Sequence, residues 1–231
     1  MDDEATIEKQ KIKKMKNAKL EWTLRLLLLV PIVYVCAIFN SLPETVPVHF
    51  GLNGEPNAYG NKWMVLLFPV VINPGVYLLL SNLFKIDPKG KIDHESNQFT
   101  IIKAIVVLFF TIISVYLIYI TVHGKIENIN ALFIITGVFF TIFGNYLQTI
   151  KPNYFVGIKT PWALENEANW RITHRIGGRI MFVSGILITL SSLMLAEQMA
   201  EYVFFICISL IVVVPFAYSY IYYIRNKKEV M

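Results

Sequence analysis

The residues with chemistry to offer gather in two short polar segments of a chain of 231 residues. The first, Pro43 to Lys62, carries His49 and Glu55; the second, Lys151 to Arg175, carries Lys159, Arg171, His174 and Arg175 among Trp162 and Trp170. Either histidine could serve an acid–base role, and His49 with Glu55 raises the question of a metal. One imidazole and one carboxylate do not make a ligand set, so neither metal nor cofactor is expected. The chain has no H-E-x-x-H zinc motif, no G-x-S-x-G elbow and no G-x-x-x-x-G-K-[ST] phosphate loop, and it reads as non-enzymatic.

The elements that must hold these segments are membrane helices. With 55% hydrophobic and only 16% charged residues the chain cannot clothe a soluble exterior. Uncharged apolar stretches run from Leu26 to Leu42, Trp63 to Phe84, Ala104 to Val122, Ile129 to Ile150, Ile180 to Ala196 and Tyr202 to Ile224. Each approaches the roughly 20 residues a helix needs to cross a bilayer core. The expected fold is therefore all-α, a polytopic membrane protein of six transmembrane helices. The first span follows a long polar leader, offers no small-x-small cleavage site and reads as retained. No Asp, Glu, Lys, Arg or His lies within these limits, which counts against a proton relay or an ion-coupled transporter.

Positive charge sets the orientation. Of 21 Lys and Arg, all but Lys62 and Lys125 fall in the tail 1–25, the loop 85–98 with Lys103, the loop 151–175 with Arg179, or the tail 225–231. Basic residues are held on the cytoplasmic side, so both termini are expected there, with loop 43–62 external and loop 151–175 cytoplasmic. The halves 26–122 and 129–224 each carry their large loop after their first helix and enter from opposite sides. That is the plan of an inverted repeat, although no residue-level similarity links them. The net charge of +5 is accounted for by orientation and anionic lipid, without a nucleic-acid partner.

Within the external segment Pro43, Pro47 and Pro56 fix φ while Gly51, Gly54 and Gly60 free it, predicting a compact loop with little regular structure. In the inner segment a helix is expected to start either at Thr160-Pro161 or at Asn166 and to run into the fifth span. Along it Trp170, Thr173 and Gly177 share one side, while Arg171, His174, Arg175 and Arg179 form a cationic stripe. That stripe suits membrane-surface anchoring, and with Trp162 and Trp170 as anchors it suits a protein-docking role equally. In the fourth span Gly137, Thr141, Gly144, Asn145 and Gln148 share a face expected to pack against another helix. Pro31, Asn73-Pro74-Gly75 and Pro215 are read as packing kinks. Cys36 and Cys207 lie in apolar runs and define no disulfide.

The inner segment reads Asn153, then Gly157-Ile158-Lys159-Thr160-Pro161-Trp162-Ala163-Leu164, then Trp170 and Thr173-His174-Arg175. It resembles the pattern of the SdpI family of bacterial membrane immunity proteins. Two departures are Lys159 in place of arginine, losing a bidentate fork, and Ala163 in place of threonine. The external run, with Pro47, His49, Asn53, Glu55 and Lys62, is similar to a companion domain common in that family. The likeness extends over nearly the whole chain after Leu20. It implies protection of a producing cell against a secreted peptide toxin. For the best-known member it also implies retention of a cytoplasmic autorepressor at the membrane. By this resemblance the external residues would face the toxin, and the inner motif would report to a repressor. Two other classes stay in view: a small transporter or exporter with Asn145 and Gln148 along its path, and a membrane enzyme acting on lipid or peptide.

Overall fold

A computed structural model describes residues 2–51, 53–88, 90 and 96–227. Parts of the loop 85–98 and of the tail 225–231 lie outside the described residues, as does Leu52. The elements are α1 (Asp2–Ile38), β1 (Thr45–Phe50), β2 (Pro56–Asn61), α2 (Asn73–Ile86), α3 (Asn97–His123), α4 (Asn130–Leu147), α5 (Pro161–Glu165), α6 (Glu167–Met194) and α7 (Glu197–Lys227). Among the described residues six helical segments are long and apolar enough to cross a membrane: Ala18–Ser41, Lys62–Ile86, Asn97–His123, Asn130–Leu147, Glu167–Met194 and Glu197–Asn226. Large apolar side chains point outward along them, Leu26, Val33, Leu187 and Val212 among them. Such faces would be liabilities in water and are lipid-facing surface here. The chain is a polytopic all-α membrane protein.

Two compact units divide it, residues 1–80 with 94–126 and residues 81–93 with 127–231. In the first, Leu24, Leu28, Tyr77 and Val107 form a buried cluster of α1, α2 and α3. The second span enters as a 3₁₀ turn (Lys62–Leu66) and a π segment (Leu67–Ile72) before α2 begins. Pro69 and Pro74 each lack the N–H that α-helical winding would use, which accounts for the altered winding. Asn73, fully buried, donates through Nδ2 to Thr111 Oγ1 at 3.2 Å and ties α2 to α3.

The helices overrun the charge-free intervals, and the overrun brings ionisable groups together. Lys103 pairs with Glu21, Tyr77 Oη donates to Glu21 Oε2 at 3.0 Å, and Arg25 Nε donates to Tyr77 Oη at 3.0 Å. Lys103 is buried. A buried ammonium requires such a partner, because an unpaired charge is shed from low dielectric at a cost of several kcal/mol.

The segment 43–62 departs from expectation. It is an antiparallel hairpin pairing Thr45 with Asn61, Val46 with Gly60 and Pro47 with Tyr59, with irregular register beyond. Lys62 Nζ and Glu44 Oε1 close its open end at 2.8 Å. At its tip Gly54, with φ of 75°, accepts the Ile126 N–H at 2.9 Å, and a Cβ there would overlap the Ile126 carbonyl. An isolated hairpin is marginal, so these tethers and the burial of Val46 and Pro47 decide its form.

In the second unit α4 and α6 run close together. A Cβ on Gly144 would stand 2.8 Å from the Gly178 carbonyl oxygen, and one on Gly137 would stand 2.9 Å from the Gly185 carbonyl oxygen. Small residues at these positions let the two backbones touch. Gly137, Thr141 and Gly144 pack as expected, whereas the side chains of Asn145 and Gln148 are exposed. For Asn145 the reason is angular: one residue past Gly144 turns the helix about 100°, enough to leave the seam. Phe133, Ile188 and Cys207 form the buried cluster joining α4, α6 and α7.

Candidate functional site

The motif segment is folded around buried polar side chains at the ends of α4, α6 and α7. Asn153 organises its first turn: Oδ1 accepts the N–H groups of Phe155 and Val156, each at 2.8 Å, and Nδ2 donates to the carbonyls of Lys151 and Val156. Both candidate helix starts are used. Thr160 Oγ1 accepts the Ala163 N–H to cap α5, with Pro161 at its first position, and Asn166 Oδ1 accepts the Asn169 N–H to cap α6. The two caps serve two helices because Asn166, extended at φ −122°, breaks the chain between them.

His174 is the centre. Its Nε2 accepts the Ile158 N–H at 3.0 Å and its Nδ1 meets the Trp170 carbonyl at 2.9 Å. Since Nε2 is an acceptor, the proton sits on Nδ1 and the ring is neutral. The imidazole stacks on Trp170 with centroids 4.0 Å apart, and the Trp170 indole N–H donates to the Ile150 carbonyl at 2.8 Å. Gly157, with φ of 118°, passes so close that any Cβ would overlap the ring.

A second buried network crosses from α6 to α7. Ser219 Oγ donates to Asn169 Oδ1 at 2.8 Å and therefore accepts from Thr160 Oγ1 at 2.7 Å. Thr173 Oγ1 also donates to Asn169 Oδ1, while Asn169 Nδ2 donates to the Ser219 carbonyl. Thr160, Asn169, Thr173 and Ser219 are all buried. Trp162 lies half-buried over Phe216, Tyr220 and Tyr223 of α7, with centroids 5.1 to 5.9 Å away.

Asn153, Gly157, Thr160, Pro161, Trp162, Trp170 and His174 thus come together in one structural knot. Leu164 is half-buried, while Lys159, with Nζ 3.3 Å from the Phe155 carbonyl, and Arg175 are exposed. Two expectations are corrected. His174 is not part of the cationic stripe: it is fully buried, and only Arg171, Arg175 and Arg179 are exposed. Trp170 is likewise fully buried, so it acts through the interior and not as a docking anchor. Asn169 and Ser219 were not read from the sequence as partners. The available signal was local, an Asn and a Thr four residues apart on the buried face of α6, with Ser219 as a hydroxyl in an apolar span.

In the hairpin segment Pro47 is buried, whereas His49, Asn53 and Glu55 are exposed. His49 Nδ1 pairs with Asn57 Oδ1 at 2.5 Å, not with Glu55, and Asn53 Oδ1 accepts the Glu55 N–H at 3.2 Å. Lys62 is held by Glu44 and lies 5.4 Å over the Phe39 ring. Among the described residues no three His, Cys, Asp or Glu side chains come together to hold a metal.

Comparison with known proteins follows the same two segments. Residues 149–219 match the model of the SdpI/YfhL protein family, and residues 26–72 match the Domain of unknown function (DUF1648). The chain is 24% identical over 203 residues to the Immunity protein SdpI of Bacillus subtilis (strain 168), covering 84% of this chain and 95% of that protein. It is 40% identical over 53 residues to an uncharacterized protein of Archaeoglobus fulgidus, covering 22% of this chain and 29% of that one. No solved structure matches. The family match falls on the buried network of α5, α6 and α7: the chain is a multi-pass bacterial membrane protein whose residues 149–219 are similar to the SdpI/YfhL family.

Proposed function

We propose that this chain is a non-enzymatic membrane immunity protein that protects its cell against a secreted peptide toxin. The observation that carries the proposal is the similarity to an immunity protein along 95% of that protein's length. The charge distribution supports an arrangement with the hairpin segment outside and the motif segment in the cytoplasm. In that arrangement the exposed His49, Asn53 and Glu55 meet the toxin. The exposed Lys159, Arg171 and Arg175 meet a cytoplasmic repressor protein, and the buried network holds them in position. Toxin can strengthen repressor binding only if both favour the same global state.

The test is survival of a toxin-sensitive strain with and without the protein, paired with membrane recruitment of a tagged repressor. Replacing His49 and Glu55 lowers survival and, with it, toxin-dependent recruitment. Replacing Arg171 and Arg175 removes recruitment and keeps at least part of the resistance. Expression that gives no protection sinks the immunity reading, and equal loss of resistance from both pairs of changes sinks the division of labour.

A further inference from the structure

The contact of Gly144 with Gly178 leaves a notch of about 180 Å³ on the surface of α4 and α6. Asn145, Gln148 and Arg179 form its polar rim, and Phe182 and Val183 its apolar wall. All five side chains are exposed, and among the described residues no hydrogen bond or ion pair satisfies the three polar ones. They lie within or at the end of helices that cross the membrane. Amides facing hydrocarbon without a partner are costly, and a guanidinium there is tolerated only where it reaches a counter-charge. Arg175, one turn before Arg179, is exposed on the same side. The α4 C-terminus opposes an anion with about half an elementary charge, which two guanidinium cations outweigh.

One ligand class meets a cation, two amide donors and an apolar wall that continues along the helix. We propose that the notch binds the phosphodiester headgroup of an anionic glycerophospholipid from the leaflet on the motif-segment side. Arg179 pairs with the phosphate, the amides of Asn145 and Gln148 donate to its oxygens, and an acyl chain runs along Phe182 and Val183. The site is independent of the immunity reading and is tested without toxin.

The experiment is native mass spectrometry of the purified full-length protein in mild detergent with phosphatidylglycerol or phosphatidylcholine added in turn. The wild type retains phosphatidylglycerol in preference to phosphatidylcholine. Arg179→Gln and the double variant Asn145→Leu with Gln148→Leu each reduce that preference roughly tenfold, the size of one lost charge-assisted hydrogen bond. The leucine variant replaces exposed amides by lipid-compatible side chains, so it remains informative if the arginine variant fails to fold. Lys125→Gln, which removes the same charge from the loop before α4, leaves the preference intact. Unchanged preference in the leucine variant overturns the proposal. So does an equal loss in Lys125→Gln, which would make the effect one of bulk charge, or a homodimer that excludes lipid and dissociates in the leucine variant.

Discussion

Gly157 lies against the imidazole of His174 so closely that no side chain fits between them, and the next residue, Ile158, donates its N–H to that ring at 3.0 Å. The loop therefore uses a histidine as a buried hydrogen-bond acceptor where a neighbouring strand would normally supply a carbonyl. Gly157→Ala combines a strained positive φ with overlap on the ring. It is expected to lower membrane abundance and the thermal midpoint more than Gly90→Ala, where φ is 58° but nothing lies within 4 Å. Equal shifts in the two variants, measured by unfolding in detergent, refute the packing account.

His174→Ala leaves the Ile158 N–H without its acceptor and removes the ring stacked on Trp170. A buried donor left unsatisfied costs about 1–3 kcal/mol. His174→Gln places an amide oxygen near the same N–H and restores part of that loss. If His174→Ala is as stable as wild type but functionally dead, the residue has a chemical role that its buried geometry does not reveal.

Ser219 joins Thr160 and Asn169 across 59 and 50 positions of sequence. Thr160→Val and Ser219→Ala each orphan a buried group in the remaining partners. Together they cost less than the sum of the single changes, with a coupling of about 0.5–3 kcal/mol. Additive losses in a double-mutant cycle of unfolding free energies contradict the shared hydrogen bond.

Two lysines separate buried from exposed pairing. Lys103 pairs with Glu21 at side-chain exposures of 8% and 27%, while Lys62 pairs with Glu44 at 16% and 78%. Lys103→Met therefore destabilises by about 3 kcal/mol, the scale of a broken buried pair, and Lys62→Met by at most about 1 kcal/mol. Comparable midpoints for the two variants would show that Glu21 finds water or another partner.

Orientation is checked by cysteine labelling in a background lacking Cys36 and Cys207. A membrane-impermeant reagent added to intact cells modifies Asn57→Cys, in the hairpin, and spares Asn97→Cys, at the start of α3. The reverse pattern inverts the charge-derived topology and, with it, the assignment of toxin and repressor faces.

The six spans, the two polar segments and the caps at Thr160 and Asn166 were legible in the sequence because each depends on a local signal. An uncharged run is long enough or it is not, and a cap reaches only two or three residues ahead. The hairpin was not legible: Pro56, Asn57, Gly60 and Asn61 are poor strand formers, and its tethers to Ile126 and between Glu44 and Lys62, with the burial of Val46 and Pro47, make it pair. Nor was the role of His174. Grouping it with its arginine neighbours was wrong: a four-residue spacing sets it beside Trp170, and spacing gives only an angle around an axis, not what packs against it. Burial of that imidazole was decided by the arrival of Ile158, Gly157 and Trp170 at both faces and both ring nitrogens. The same reason hid Asn169 and Ser219. A polar residue is stable inside an apolar bundle only when a complementary group meets it, and tertiary folding chooses that group from a helix half a hundred residues away.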